Sequence, residues 1–255
     1  MKLTLADPKI LKDAVAIISE LVTEARFSIS KDAMELVALD PATVAMVDFK
    51  LLASAFTEYD VTDKEDIALN LMQFKHILRR IGPSDTLVLE KENEQLKVTI
   101  KGASTRTFQI RLLDLEDEKR RSPPKVDYTA TVTCLSQNLA DAIDDVDLVA
   151  DSVAFSAKDK LFTVSAEGDL SKANIELPAD QDTKVVVQDT VDGEKVQKPV
   201  RARFSVEYLK KMVQGGKLAD KVTVQFRTDH PLRLEYKVLN KVVLSFILAP
   251  RVEND

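Results

Sequence analysis

The sequence predicts an α+β protein built from two copies of one domain, each running helix, strands, helix, strands, with antiparallel sheets. Three observations carry this reading. The same order of apolar patterns occurs twice along the chain. Residues of the two halves match at nearly constant offsets. The links between strand-like runs are short, which suits antiparallel meanders and leaves two amphipathic helices per half to cover a sheet.

The elements follow in order. Asp7 and Pro8 read as a helix start, Asp as N-cap and Pro at the first helical position. Leu11, Val15, Ile18 and Val22 recur at helical spacing, widened by Ile10, Ala14, Ile17 and Leu21. Strand-like runs follow at 25–30, 34–40 and 44–51, with turns at Lys31-Asp32 and Asp40-Pro41. A second helix is predicted over 71–81: Phe74, Ile77, Leu78 and Ile81 form its stripe, and Gly82-Pro83 stops it. Runs at 86–90, 96–102 and 106–113 alternate with period two and complete the first half.

The stretch Leu112–Tyr128, LLDLEDEKRRSPPKVDY, has no such period. It is charged, and Pro123-Pro124 favours an extended backbone with no donors for a sheet. Then the pattern resumes. Residues 128–134 alternate, and Ser136 reads as the cap of a helix with Leu139, Ala142, Ile143 and Val146 as its stripe. Strands are predicted at 152–157, 161–168 and 172–179. A helix after Ser205 uses Tyr208, Leu209, Met212 and Val213 and stops at Gly215-Gly216. Strands at 221–226, 232–238 and 241–250 close the chain.

The halves align residue by residue. Phe27-Ser28 corresponds to Phe155-Ser156 at a shift of 128, and Lys31-Asp32 to Lys158-Asp159 at 127. Leu69, Leu71, Phe74 and Lys75 correspond to Phe204, Val206, Leu209 and Lys210 at 135. Leu96, Val98 and Ile100 correspond to Leu232, Leu234 and Tyr236 at 136, as do Phe108, Ile110 and Leu112 to Leu244, Phe246 and Leu248. An internal duplication follows, with a first domain at 1–112, a connector at 113–128 and a second domain at 129–255.

Composition narrows the function. At 45% hydrophobic residues, 255 residues suffice for two cores. The single cysteine, Cys134, excludes an intramolecular disulfide and a Cys-based metal site, and fits a reducing, cytoplasmic setting. The start MKLTLADPK lacks the apolar run of a signal peptide, and no apolar run reaches membrane-spanning length, so no membrane association is expected. The net charge of −6 argues against a nucleic-acid binder unless one face is locally basic.

No catalytic constellation emerges, so no enzyme, cofactor or metal is expected. There is no phosphate-binding glycine loop and no serine elbow. His76 and His230 lie in opposite halves without an acidic partner at metal-ligand spacing, and read as surface residues. Cys134 ends a strand and reads as a small buried residue. Asp141, Asp144 and Asp145 share the side of their helix opposite Leu139 and Ile143, as a solvated acidic face does. Basic residues are less evenly spread. Lys75, His76, Arg79 and Arg80 share the polar side of one helix; Lys210 and Lys211 repeat the theme, with Lys217 just beyond; Lys9 and Lys12 lie on the first helix. Taken singly these are solubilising charges. Their recurrence at repeat-equivalent positions raises the alternative of faces that meet one polyanion.

Several of these segments are familiar together. ALDPATVAMVDF at 38–49, ILRR with its Gly-Pro stop, FQIRLLDLE, SAEG at 165–168 and the closing LAPRVEND span the chain. On these the chain resembles the proliferating cell nuclear antigen (PCNA) family of DNA polymerase sliding clamps, most of all its archaeal branch. The resemblance implies the DNA clamp fold: rings of three subunits, helices lining the hole and antiparallel sheets outside. Duplex DNA is encircled without sequence reading. A clamp loader opens the ring, and DNA polymerase, flap endonuclease and DNA ligase dock through short peptide motifs.

Carried onto this chain, the resemblance implies DNA-facing roles for Lys12, Lys75, His76, Arg79, Arg80, Lys210, Lys211 and Lys217. It implies a partner-peptide pocket from Leu39, Val44, Met46, Leu115, Val126, Pro231, Ile247, Leu248, Ala249, Pro250 and Arg251. It implies a subunit interface between 107–113 and 172–177, with Phe108, Ile110, Arg111 and Leu112 facing Ile175, Glu176 and Leu177. The third helix departs from the family: Asp141, Asp144, Asp145 and Asp147 stand where at least one basic residue is usual. That implies a weaker or asymmetric DNA path. It also leaves open a subunit of a heterotrimeric ring, or a peptide-binding scaffold that encircles no DNA.

Overall fold

The structure is a computed structural model that describes residues 1–115, 122–188, 190–191, 194–195 and 199–251. The middle of the connector (116–121) and the acidic tail (252–255) therefore lie outside the described residues. The chain divides into two compact units. The first is Met1–Pro123 with Lys237–Leu244, and the second is Pro124–Tyr236 with the chain from Ser245.

In the first unit the order is β1 (Lys2–Leu5), α1 (Lys9–Ile18), β2 (Glu24–Ile29), β3 (Ala33–Leu39), β4 (Ala45–Leu52), β5 (Glu58–Asp60), β6 (Glu65–Asn70), α2 (Leu71–Leu78), β7 (Thr86–Glu92), β8 (Gln95–Lys101) and β9 (Thr105–Arg111). One sheet runs β5-β1-β7-β8-β9, and β6-β2-β3-β4 lie side by side in another. Lys237–Leu244 joins this unit through the Leu52 N–H, which donates to the Lys241 carbonyl at 2.8 Å.

The second unit holds β10 (Ala130–Leu135), α3 (Ser136–Asp147), β11 (Ser152–Lys158), β12 (Leu161–Glu167), β13 (Lys172–Pro178), β14 (Lys184–Val187), β15 (Thr190–Val191), β16 (Glu194–Lys195), β17 (Val200–Ser205), α4 (Val206–Met212), β18 (Lys221–Phe226), β19 (Leu232–Val238) and β20 (Val242–Leu248, from Ser245 onward). Its sheets run β14-β10-β18-β19-β20 and β17-β11-β12-β13, the same order as in the first unit.

Strand register makes the duplication quantitative. Phe27 faces Leu36, and Phe155 faces Val164, each pair related by a shift of 128. Ala25 faces Leu69 as Val153 faces Phe204. Leu89 faces Val98 as Val224 faces Leu234. These pairings reproduce the offsets read from the sequence for β2, β6 and β8. The cores differ in chemistry. Phe155, Phe162, Phe204 and Phe226 form an edge-to-face cluster with centroids 5.3–6.2 Å apart, whereas Leu69 stands where Phe204 does.

Local expectations are corrected at several points. Helix α1 starts at Lys9 with Pro8 as its N-cap residue, and the Asp7 carboxylate accepts from the Lys9 N–H at 3.2 Å. Helix α2 ends at Leu78, not Ile81; Arg79 and Arg80 form a turn, and Ile81 is buried beyond it. Ser136 is the first helical residue of α3 and caps nothing: its Oγ donates to the Ala219 carbonyl at 2.7 Å. Helix α4 ends at Met212 and continues as a 3₁₀ turn over 213–217. Strands β1, β5, β6, β14, β15, β16 and β17 were not predicted. Short edge strands such as β5 and β14 have little periodicity to read.

Candidate functional site

The helices present the predicted cations, and each unit does so in its own way. On α2, the Asn70 side chain accepts from the Gln73 N–H at 2.9 Å and fixes the helix start. Leu71, Phe74 and Leu78 turn inward, which leaves His76, Arg79 and Arg80 exposed. Lys75 is drawn to Glu20 at the end of α1, Nζ to Oε1 at 2.6 Å. Lys12 on α1 is half-buried and donates to the Ile81 carbonyl at 2.9 Å. On α4, Leu209 and Met212 turn inward and Lys210 is exposed. Its ammonium lies 2.6 Å from the Asp147 carboxylate of α3, whose hydrogen bond and charge hold Lys210 above the ordinary lysine range. Lys211 reaches Glu207 at 2.8 Å and lies 5.5 Å from the Tyr208 ring centroid. Among the described residues the side chains of His76, Arg79, Arg80 and Lys217 have no hydrogen-bond or ion-pair partner.

Charge therefore differs between the two helical pairs. On α1, Lys9 and Lys12 balance Asp13 and Glu20, so Lys75, Arg79 and Arg80 leave the first pair at about +3. On α3 and α4, four aspartates and Glu207 outweigh Lys210, Lys211 and Lys217, leaving about −2. Asp141, Asp144, Asp145 and Asp147 are all exposed, as an acidic solvated face should be.

The predicted interface residues fall on two outermost strands. Among the described residues strand β9 has only β8 as neighbour, and β13 has only β12. Both are seven residues long and alternate in exposure. Phe108 is half-buried and Ile110 fully buried on one side of β9, with Arg111 exposed on the other. Ile175 and Leu177 are half-buried on β13, and Glu176 is exposed and accepts from the Asn174 side-chain amide at 3.2 Å. Leu112 follows β9, its N–H donating to the Glu94 carbonyl at 2.8 Å. Long, flat, unpaired edges of this kind are ready to pair with another strand.

The predicted peptide-contact residues behave unequally. In the first unit, Leu39 and Met46 are cross-strand partners, with Val44 just before β4. Asp40 builds the turn between them: its carboxylate accepts from the N–H groups of Ala42, Val44 and Ala45 at 3.1, 2.7 and 2.6 Å. Those bonds hold Thr43 at φ 58°, a conformation a β-branched residue rarely adopts. Leu39 and Val44 are half-buried and Met46 is buried. Leu115 is half-buried, and its carbonyl accepts from the Arg26 guanidinium. In the second unit Val126, Pro231, Ala249 and Pro250 are half-buried, Ile247 is buried and Leu248 wholly so. The Arg251 N–H donates to the Arg203 carbonyl at 2.8 Å, and its exposed guanidinium lies 3.0 Å from Asp151.

Other reactive side chains are quiet. Cys134 is buried, and desolvation pushes its thiol up to about 11, away from the reactive thiolate. His230 is exposed in its turn, Nδ1 2.7 Å from the Thr228 carbonyl. Among the described residues no group of three or more His, Cys, Asp or Glu could hold a metal ion. No helix among them is long and apolar enough to cross a membrane. Sequence reasoning missed the partners Glu20, Asp147, Asp85 and Arg106. They lie 55, 63, 3 and 26 residues from the groups they hold. The missed role of Asp40 had a signal, an Asp opening a tight turn.

Comparison with known proteins finds matches along nearly the whole chain. The family model for the PCNA N-terminal domain matches residues 1–119, and that for the C-terminal domain matches 123–251. A DNA polymerase sliding clamp of Pyrococcus furiosus is 36% identical over 92% of both chains. One of Thermococcus gammatolerans is 37% identical over 94% of both, and one of Nanoarchaeum equitans is 34% identical over 98% of this chain and 99% of that one. A crystal structure of PCNA from Thermococcus kodakaraensis superposes with a TM-score of 0.87 at 28% identity, covering 98% of this chain and 99% of that chain. With two units of one topology and these matches along nearly the whole chain, the protein has the DNA clamp fold and belongs to the proliferating cell nuclear antigen family.

Proposed function

We propose that this chain is the subunit of a DNA sliding clamp, a non-catalytic ring of three identical chains that encircles duplex DNA and tethers the replicative polymerase. The observation that carries this is the match over nearly the full length of both chains to relatives named DNA polymerase sliding clamps. Strands β9 and β13 support ring closure, each offering an alternating seven-residue edge to a neighbouring chain. Phe108 meets Ile175 and Leu177 there, Arg111 pairs with Glu176, and Ile110, fully buried in its own unit, supports β9 from behind rather than meeting the neighbour.

DNA contact is phosphate-directed and salt-sensitive. His76, Arg79, Arg80 and Lys217 make it directly. Exposed Lys210 and half-buried Lys75 and Lys211 leave their ion pairs with Asp147, Glu20 and Glu207 to join them, since ion pairs at a protein surface hold their partners weakly. Clamp loader, flap endonuclease and ligase dock through short peptides. Their apolar anchors contact Leu39, Val44, Leu115, Val126, Pro231, Ala249 and Pro250, which keep exposed surface, while Met46, Ile247 and Leu248 support those residues from below. The protein works in the cytoplasm on chromosomal DNA.

Light scattering after size exclusion tests the ring. A particle of three chains is expected. A chain that stays monomeric at micromolar concentration and assembles only with a second kind of subunit would replace the homotrimer with a mixed ring.

A further inference from the structure

Three backbone groups just past the end of α2 have side-chain partners: the Arg80 carbonyl, the Ile81 carbonyl and the Gly82 N–H. A helix end leaves carbonyls without intrahelical partners, and these must be satisfied from elsewhere. Each of the three is met by a side chain, two from other elements and one from the exit turn itself. The Arg106 guanidinium of β9 donates to the Arg80 carbonyl at 2.9 Å. The Lys12 ammonium of α1 donates to the Ile81 carbonyl at 2.9 Å. The Asp85 carboxylate accepts from the Gly82 N–H at 2.9 Å and is itself paired with Arg106. Gly102 makes room for this: a Cβ there would lie 1.8 Å from Asp85 Oδ1. Ile81 is buried, so the turn is pinned from inside as well. Arg79 and Arg80 ride on this turn with exposed side chains.

We infer that Lys12, Asp85 and Arg106 are positioning residues that brace the exit of α2, and that Lys12 acts there through the Ile81 carbonyl rather than as a phosphate contact. The brace presents Arg79 and Arg80 on a fixed backbone. The turn's own backbone bonds, Arg80 N–H to the Ile77 carbonyl, Ile81 N–H to the Leu78 carbonyl and Asp85 N–H to the Gly82 carbonyl, leave the Arg80 and Ile81 carbonyls to the brace. The inference rests on the DNA-binding reading for its consequence, but the brace itself is a property of the chain alone.

The test titrates salt against binding of a short duplex by the full-length protein, followed by fluorescence anisotropy. Gly102→Ala alters no charge. It is expected to flatten the salt dependence toward that of the Arg79→Ala/Arg80→Ala double variant, which loses a slope of about 0.9 for each phosphate contact removed. Lys12→Met added to that double variant is expected to change nothing further, and Lys12→Arg in the wild type to keep the full slope. A further loss of about 0.9 on removing Lys12 would make it a phosphate contact and overturn the inference. A wild-type slope in Gly102→Ala would overturn it too. Deuterium exchange at the Gly82 amide reads the brace without DNA, with about tenfold faster exchange expected in Asp85→Ala. Unchanged exchange there sinks the brace, whereas failure of the wild type to bind duplex at any salt sinks only the DNA reading. Asp85→Ala replaces Gly102→Ala in the salt titration if the latter does not fold. Light scattering on every variant separates loss of assembly from loss of positioning, since Arg106 lies on the edge strand β9.

Discussion

The two units share one topology and one strand register, yet their helical pairs present opposite charge. Around α1 and α2 the aspartates and glutamates are few, and His76, Arg79 and Arg80, whose side chains have no partner among the described residues, cluster at one helix end. Around α3 and α4 the acids dominate, and Lys210 is held by Asp147. Helix exits differ as well. The α2 exit is held by Lys12 and Arg106, reaching in from α1 and β9, and by Asp85 of the exit turn itself. The α4 exit runs into a 3₁₀ turn in which Gly215 lets Tyr236 pack, since a Cβ at Gly215 would lie 2.3 Å from that ring. The difference teaches that a duplicated fold keeps its strand register while its exposed faces diverge. Register is fixed by buried side chains, and exposed charge costs the core nothing to change.

The largest expected effect breaks the comparison at α4. Gly215→Ala should destabilise the protein by about 2 kcal/mol through overpacking against Tyr236, read as a lower denaturation midpoint with an unchanged m-value. The charge contrast comes next. Arg79→Ala/Arg80→Ala should weaken short-duplex binding most at low salt, and its loss of affinity between 50 and 200 mM salt should be about tenfold smaller than the wild type's, two contacts at a slope of about 0.9 each. Lys210→Ala, whose charge Asp147 already offsets, should do less in the same titration. Asp147→Asn is the converse and a smaller step: it frees Lys210, so binding should become somewhat more salt-dependent. Tyr236→Phe should be close to neutral, within about 0.5 kcal/mol, because its buried hydroxyl has no hydrogen-bond partner among the described residues.

The smallest effect concerns a network confined to the first unit. Burial acts to raise Glu65, but hydrogen bonds from the Met1 ammonium and Lys91 outweigh it and leave its carboxyl below the ordinary value of 4.5. A lowered folded value means this stabilisation is complete above pH 4.5 and is lost as pH falls through the lowered value. Glu65→Gln should flatten that part of the acid unfolding curve by less than about 1 kcal/mol.

Much of this architecture was legible in the sequence because it is written in burial. Phe27 and Phe155, or Val98 and Leu234, occupy equivalent register positions, and alternation or helical spacing marks their neighbours. The edges were harder. Strand β5 has three residues and β14 four, too few for a period, and β6 runs straight into α2. At helix ends, Ser136 looks like a cap in sequence but donates to Ala219, brought near only by the fold. The candidate site was legible as a set of cations, not as a set of free cations. Nothing near Lys12, Lys75 or Lys210 in sequence names Ile81, Glu20 or Asp147 as partner, because those contacts span 69, 55 and 63 residues. Arg106 is half-buried on the Phe108 and Ile110 side of β9, a cation where alternation calls for an apolar residue, but nothing near it in sequence names Asp85 or the Arg80 carbonyl as its partner.

Encirclement is the central claim, and retention on closed DNA tests it most directly. The protein, loaded by a clamp loader onto nicked circular duplex, should stay bound through gel filtration at moderate salt and fall off when the circle is cut once with a restriction enzyme. Equal retention on circular and linear DNA, or release from both, would contradict a ring threaded by its substrate.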